Sequence, residues 1–153
     1  MTPRMTDYME RAAAGMKPLF TMEAAIGNSP LERELVHLVK LRASQINGCA
    51  FCIHMHVSEA LRDGDTPLRL HMLPAWRESS LYSQRERAAL AWTEALTLVA
   101  ESGAPDGDWQ LVEAAFDPDE RAWLSLTIGA INLWNRMQVG FRAAHPLELP
   151  VAA

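Results

Sequence analysis

Residues 34–56 read ELVHLVKLRASQINGCAFCIHMH, and this stretch predicts two helices separated by a sharp break. In the first half of this stretch and just before it, apolar side chains recur every three or four residues, which is the spacing of a helix with one buried face. They are Leu31, Leu35, Leu38, Val39 and Ile46. We therefore expect a helix over about 30–46. Asn47-Gly48 predicts the break, and a second helix is expected to run from near Cys49 to Asp63-Gly64.

The rest of the chain also has the character of helices. Ala, Leu, Glu and Arg are abundant, and no segment alternates apolar and polar residues over a sustained stretch. Ser83 and Glu86 form a capping box that predicts a long helix to about Ser102, and Asp117-Pro118 predicts the start of the last helix. We predict one compact all-α domain over residues 1–153, with the cysteine pair in the N-terminal part of a central helix.

The composition excludes several classes of protein. The chain has 153 residues, and its 14 Lys and Arg against 19 Asp and Glu give a formal charge of −5. It lacks a basic tract, so nucleic acid is not an expected partner. No apolar run approaches the ~20 residues that span a bilayer, and the N-terminus lacks an apolar stretch of signal-peptide length. We therefore expect a cytoplasmic protein with no membrane partner, where a CxxC pair is more often catalytic or metal-binding than structural.

Both cysteines of the chain lie in the quoted stretch, close to two histidines. On one helix, Cys52 lies about 60° from Cys49 and His56 about 20° from it, so these three side chains share a face. His54 points elsewhere. Three residues along a helix separate Cα atoms by roughly 5 Å, which a disulfide accepts. Cys49 and Cys52 can therefore form and break a disulfide with little movement of the backbone.

Three roles are open for this cluster. A structural disulfide is disfavoured, because a bond that closes so short a loop stabilises a protein least. A zinc site could use Cys49, Cys52 and His56, with His37 as a fourth ligand. A redox pair is favoured, because the helix N-terminus stabilises a thiolate and His56 can move its proton. Such a thiolate attacks a peroxide to give a sulfenic acid, which the second cysteine converts to a disulfide.

The quoted stretch resembles the alkylhydroperoxidase D-like (AhpD-like) branch of the carboxymuconolactone decarboxylase family. The shared elements are the helix before the break, Asn47-Gly48, the cysteine pair and His56. The likeness continues through WRESSLYSQRERAALAWTEALT at 76–97 and INLWNR at 131–136. It therefore covers about residues 16–142, which we expect to be the core of the domain.

The resemblance implies an all-α thiol peroxidase that needs neither haem nor metal, and no cofactor is predicted. It assigns Cys49 and Cys52 to the redox cycle and His56 to proton transfer. An acidic residue of the family's proton relay often stands twelve positions before the first cysteine, where this chain has His37. His37 itself and Glu34, one turn earlier, are the two candidates for that role. We assign Cys52 as the attacking thiolate because it is nearer His56, and Cys49 as the resolving cysteine; the opposite assignment stays open.

The resemblance also implies partners. They are a peroxide substrate (an organic hydroperoxide or hydrogen peroxide), an external dithiol reductant of lipoyl type, and further copies of the chain in a trimer or hexamer. Two other functions stay open. One is a redox-sensing oligomer whose disulfide state changes a binding surface, and the other is a zinc-binding helical module.

Overall fold

A computed structural model describes residues 2–147, and every regular element in that range is helical. The helices are α1 (Tyr8–Arg11), α2 (Ala13–Gly27), α3 (Arg33–Ile46), α4 (Ala50–Arg62), α5 (Pro67–Met72), α6 (Gln84–Thr97), α7 (Val99–Ser102), α8 (Asp106–Ala115) and α9 (Pro118–Phe141). A 3₁₀ turn at Leu73–Ala75 extends α5. The predicted all-α class is confirmed.

Helix α3 lies at the centre of the fold and packs against α4, α6 and α9. Its side chains Leu38, Val39 and Leu41 are fully buried. The prediction was right for Leu35, Leu38 and Val39, but every residue from 35 to 41 is buried, so α3 is covered on more than one face. Truncating a leucine at such a position typically costs about 2–5 kcal/mol of stability, because it removes buried surface and leaves a cavity. The central position of α3 makes it a rigid platform for α4.

The connection between α3 and α4 is a tight turn at Asn47-Gly48. Gly48 adopts a left-handed conformation with φ of +64°, which a residue with a Cβ atom occupies only at a cost. The next amide, that of Cys49, donates to the carbonyl of Ser44 at 3.0 Å. The break predicted at Asn47-Gly48 is thus the turn that places the cysteine pair at the start of α4.

Two capping boxes begin the longer helices of the second half. The side chain of Ser83 accepts from the amide of Glu86, and Asp117 and Glu120 repeat the arrangement at the start of α9. Both starts match the prediction. The long helix expected after Ser83 is shorter, because Leu98 leaves the helical region at φ −102° and ψ 32° and separates α6 from α7.

None of the helices between residues 2 and 147 combines the length and apolarity that crossing a membrane requires.

Candidate active site

Cys49 is the N-cap of α4, and Cys52 lies in the first turn of that helix. The backbone amide of Cys52 donates to Sγ of Cys49 at 3.4 Å. The two thiols are not joined by a disulfide, and each cysteine is only 1% exposed. Backbone amides at the start of α4 therefore point toward the sulfur of Cys49. This arrangement stabilises an anion on that sulfur.

The two thiols are hydrogen-bonded to each other, and their pKa values are shifted in opposite directions. The hydrogen bond from the Cys52 thiol, with help from the amides of the helix start and from Asn135, lowers the pKa of Cys49 to about 7 despite burial. The pKa of Cys52 is raised, first because its thiol donates to Cys49 and second because it is buried. Of the two thiols, Cys49 therefore ionises at the lower pH, whereas proximity to His56 predicted a thiolate at Cys52.

His56 is buried and is held by a carboxylate of its own helix. Its Nδ1 donates to Oε2 of Glu59 at 2.9 Å, while its Nε2 is buried without a hydrogen-bond partner among the described residues. Burial lowers the pKa of His56, although Glu59 acts in the opposite direction. A neutral imidazole with its Nε2 lone pair free can accept a proton from a thiol in the same cavity.

His37 and Asp63 extend the series of interacting polar side chains that begins with His56 and Glu59. Nδ1 of His37 lies 3.7 Å from Oε2 of Glu59, and its Nε2 donates to Oδ2 of Asp63 at 2.7 Å. Asp63 also pairs with Arg33 at 2.9 Å, and these partners hold its pKa below the usual value. The order His56, Glu59, His37, Asp63 therefore leads from the buried centre of α4 to its C-terminal end, where Arg33 is exposed.

Cys52 and His56 line the same cavity, which has a volume of about 330 Å³. Its walls are mostly apolar and aromatic and come from α2, α4 and α9. They include Phe20, Phe51, Met55, Ile131 and Trp134. A small molecule in this cavity would lie close to both the Cys52 thiol and the His56 imidazole, among mostly apolar side chains.

Cys49 lines a different cavity of about 430 Å³. This second cavity is bounded by the α3–α4 turn and by the C-terminal end of α9, with Val139, Arg142 and His145 among its lining residues. The two thiols thus belong to one pair but open in different directions.

Hydrogen bonds between amide side chains hold the α3–α4 turn against α9. Nδ2 of Asn47 donates to Oδ1 of both Asn132 and Asn135 at 2.9 Å, and Nδ2 of Asn135 donates to Oγ of Ser44 at 3.0 Å. Asn135 is 1% exposed. These hydrogen bonds fix the position of the turn that carries Cys49 relative to α9.

The structure brings together four of the five residues predicted for the site: Cys49, Cys52, His56 and His37. Glu34 is exposed on α3, and the structure gives it no hydrogen bond or ion pair to the other four. The carboxylate beside His56 is instead Glu59, which the sequence analysis missed. Its position three residues after His56 on one helix was the signal that could have identified it.

The zinc set considered from the sequence does not converge. Among the described residues, the ligand atoms close enough to share an ion belong to His37, His56 and Glu59, and neither cysteine is in that group. A zinc site built on the CxxC pair is therefore not what this fold presents.

The model of the carboxymuconolactone decarboxylase family matches residues 12–95, which is more than half of the chain. A relative in Bacillus subtilis (strain 168), the uncharacterized protein YdfG, is 42% identical over 139 residues, which cover 90% of this chain and 95% of the relative.

Solved structures share the fold. A protein of unknown function from Agrobacterium tumefaciens, to which an AhpD antioxidant defence role has been ascribed, is 43% identical with a TM-score of 0.92. The alignment covers 96% of this chain and all of that protein. The debrominase Bmp8 superimposes with a TM-score of 0.77 at 17% identity, over 91% of this chain and 75% of its own. At so low an identity, the likeness to Bmp8 shows the fold alone.

Proposed function

This chain belongs to the carboxymuconolactone decarboxylase family as an AhpD-like member, and from that premise we propose that it is a thiol-dependent peroxidase. Members of this family are enzymes of oxidoreductase or decarboxylase type. The observation that carries the proposal is that Cys52 and His56 line one apolar cavity while Cys49 lies within hydrogen-bonding reach of Cys52. This arrangement supplies a nucleophile, an acid–base group and a resolving thiol.

Cys52 attacks the peroxide, because it is the cysteine that faces the cavity shared with His56. The lower pKa of Cys49 does not prevent this, because Cys52 transfers its own proton to Nε2 of His56 and Cys49 remains available as a second thiolate. The Cys52 thiolate then bonds to the distal peroxide oxygen, and the O–O bond breaks. The leaving alkoxide takes a proton from His56, and Cys52 becomes a sulfenic acid.

Cys49 completes the oxidative half of the cycle. Its thiolate attacks the sulfur of the Cys52 sulfenic acid, the S–S bond forms, the S–O bond breaks, and the leaving hydroxide takes a proton from solvent to become water. The helix N-terminus that stabilises the Cys49 thiolate keeps this second nucleophile ready at neutral pH. Overall, two thiols are oxidised to a disulfide and the peroxide is reduced to an alcohol and water.

Glu59 and His37 assist the proton transfers of His56. Glu59 holds Nδ1 of His56 by its 2.9 Å hydrogen bond and stabilises the imidazolium that forms when Nε2 takes the thiol proton. His37 stands beyond Glu59 and is anchored by Asp63. In this chain the relay carboxylate therefore comes from α4, and His37 occupies the α3 position where an acidic residue is often found.

The cavity favours an organic hydroperoxide over hydrogen peroxide. Its aromatic and methionine side chains offer binding free energy to an apolar group, roughly 25 cal/mol for each Å² of apolar surface that leaves water. Hydrogen peroxide has no such group. We expect a lower KM for a hydroperoxide with an alkyl or aryl substituent.

An external dithiol, of lipoyl type as the resemblance implies, returns the disulfide to the thiols. The second cavity gives it a route to Cys49 that does not pass through the peroxide cavity. Attack at Cys49 forms a mixed disulfide and releases Cys52 as a thiol, and the second thiol of the reductant then displaces Cys49. A cycle of this kind requires a reducing compartment, which supports a cytoplasmic location.

We also propose a homo-oligomer, a trimer or hexamer by the resemblance. Large apolar side chains are exposed where α7 meets α9, and a groove of about 420 Å³ there is lined by Val99 and Leu133, which are 52% and 37% exposed. Exposed apolar surface of this kind is typical of contacts between protein chains. Sedimentation of the purified protein measures the assembly.

A steady-state assay with an organic hydroperoxide and a dihydrolipoyl compound tests the enzymatic proposal. We expect many peroxide molecules to be consumed per chain, with loss of turnover when either cysteine is replaced by serine. A redox sensor, which is the competing function, would consume one equivalent and then stop. Full turnover by either single-cysteine variant would exclude the proposed cycle.

A further inference from the structure

Three metal-ligating side chains converge between α3 and α4. They are His37, His56 and Glu59, and their ligand atoms all lie within 4.8 Å of one another. We refer to these three residues as the His-His-Glu cage. His37 and His56 are 7% and 3% exposed, so the cage is built from buried imidazoles rather than from mobile surface groups.

One buried nitrogen of this cage has no hydrogen-bond partner among the described residues. Nδ1 of His37 is buried without a hydrogen-bond partner among the described residues, and the atom it faces is Oε2 of Glu59 at 3.7 Å. Nε2 of His37 donates its hydrogen to Asp63, so Nδ1 is the ring nitrogen that faces the carboxylate oxygen of Glu59. Two acceptors that face each other in a buried site are stabilised by a positive charge between them.

The carboxylate behind His37 is a second feature of metal sites. Ligating histidines generally donate their other ring nitrogen to a carboxylate or carbonyl, which fixes the tautomer and the orientation of the ring. Asp63 does this for His37 at 2.7 Å, and Arg33 in turn holds Asp63 at 2.9 Å. Asp63 therefore fixes the orientation of the His37 ring, with Nδ1 turned toward the cage.

We propose that the His-His-Glu cage binds one Zn²⁺ ion per chain through His37, His56 and Glu59. Two imidazole nitrogens and one carboxylate oxygen are a ligand set that Zn²⁺ accepts, with a fourth position left for water. This site uses neither cysteine and so differs from a CxxC zinc site. It would be open to solvent through a separate cavity of about 360 Å³ lined by His37, Glu59 and Arg62.

The basic side chains near the cage do not oppose a cation strongly, because they already have acidic partners. Lys40 pairs with Glu23, and Arg33 pairs with Asp63. The carboxylate of Glu59 is the anionic group of the cage, and its partners among the described residues are the two cage histidines. A divalent ion would therefore find one formal negative charge, and it would replace the hydrogen bond between Nδ1 of His56 and Glu59.

Zinc in the cage would inhibit the enzyme, and this part of the inference rests on the proposed function. His56 and Glu59 cannot serve proton transfer while their lone pairs bind a metal ion. The bound ion would thus link peroxide reduction to the concentration of free zinc. Zinc binding itself does not depend on the protein being a peroxidase.

Binding is measured on a variant that lacks both thiols, Cys49→Ser/Cys52→Ser, so that thiolates cannot hold the metal. Equilibrium dialysis against ZnSO₄ with metal analysis is expected to give about one zinc per chain. In the same background, His37→Gln and Glu59→Gln each remove a ligand, and we expect affinity to fall on the order of tenfold or more, with Asp63→Asn falling by roughly 10–100-fold. His71→Gln, which changes an exposed histidine outside the cage, is the matched control and should leave affinity unchanged.

Thermal unfolding of each variant by circular dichroism identifies any that fail to fold, and Glu59→Gln keeps the shape of the side chain. Absence of zinc binding in the double serine variant, or binding that His37→Gln and Glu59→Gln leave unaltered, would overturn the site. For the wild type, we expect ZnSO₄ to inhibit peroxide turnover and His37→Gln to weaken that inhibition relative to its own activity. Stoichiometric binding without inhibition would overturn the regulatory link while the site stands.

Discussion

Glu59 accepts the Nδ1 proton of His56 at 2.9 Å from a position one turn further along the same helix. The acidic partner of the site's acid–base group is therefore supplied by α4. On α3, the facing position is occupied by His37, which lies 3.7 Å from the same carboxylate oxygen. The relay of this chain thus differs from one in which α3 provides the carboxylate, and this difference can be tested residue by residue.

Replacing Glu59 should impair catalysis more than replacing Glu34. Glu59→Gln retains a hydrogen-bond acceptor for His56 but removes the charge that stabilises its imidazolium. General acid–base steps contribute roughly 10²–10⁴-fold, so we expect kcat/KM to fall on the order of tenfold or more. The pH–rate profile should also show a lower apparent pKa for His56, because the carboxylate raises it in the native protein.

Glu34→Gln is the matched control, since it makes the same chemical change on the exposed face of α3. It should leave kcat/KM unaltered. A loss of activity in Glu34→Gln with none in Glu59→Gln would instead support the relay residue that the sequence alone suggested.

The two cysteines should differ in the intermediate that accumulates after peroxide treatment. In Cys49→Ser, Cys52 can still be oxidised but has no thiol to resolve it, so a sulfenic acid should persist and react with dimedone. In Cys52→Ser, the residue facing the peroxide cavity is no longer a thiol, and we expect little dimedone labelling. Mass spectrometry of peptides from both variants makes the comparison.

The reverse pattern, with labelling confined to the variant that retains only Cys49, would assign the attack to Cys49. Both variants should lose multiple turnover in either case, because each lacks one sulfur of the disulfide.

One thiol of the reduced protein should titrate near neutral pH. The pKa of Cys49 is lowered to about 7 from an ordinary value of 9.0. The thiolate absorbance in the ultraviolet should therefore rise with a midpoint of about 7 for one sulfur per chain. Cys52→Ala removes the thiol that donates to Cys49 and should shift this midpoint upward, whereas Cys49→Ala should remove it.

The same shift has a consequence for stability, with a definite sign. Because the folded protein holds the Cys49 thiolate more tightly than the unfolded chain does, the stabilisation is complete above the ordinary pKa of 9.0 and is lost as the pH falls through about 7. Urea unfolding of the reduced protein at several pH values measures this change, and Cys49→Ser should lack it. Two sulfurs that titrate together at their ordinary pKa would contradict the asymmetry of the pair.

Loss of the Asn135 side chain should affect both stability and the thiol. Asn135 is buried, accepts from Asn47 and donates to Ser44, so Asn135→Ala removes one hydrogen bond from each of those partners. We expect the free energy of unfolding to fall by about 1–3 kcal/mol. The pKa of Cys49 should rise as well, because Asn135 contributes to its lowering.

Asn28→Ala is the control for this measurement, since Asn28 is exposed and its side chain only donates to the carbonyl of Ala24. A surface change of that kind typically alters stability by no more than about 0.5 kcal/mol. Equal effects of the two substitutions in urea unfolding would show that the amide cluster is not what holds the α3–α4 turn.

The local pattern of the sequence was sufficient for the helices and for part of the site. The apolar spacing of α3, the break at Gly48 and the capping box at Ser83 depend on neighbours within about four residues, and each was predicted close to its position in the structure. The common face of Cys52 and His56 follows from helical geometry in the same way. Only the extent of the helix after Ser83 was overestimated, because Leu98 breaks it.

What the sequence by itself determined was the set of angular relations within each helix, which is enough to place a thiol pair and an imidazole on one side of α4. Only the tertiary structure decided which groups of α3 and α9 face them, because the rotation and offset between packed helices are set by side chains far apart in sequence. That packing exposes Glu34, turns His37 toward Glu59 and Asp63, and seats Asn135 on the α3–α4 turn. No spacing along the chain encodes those contacts.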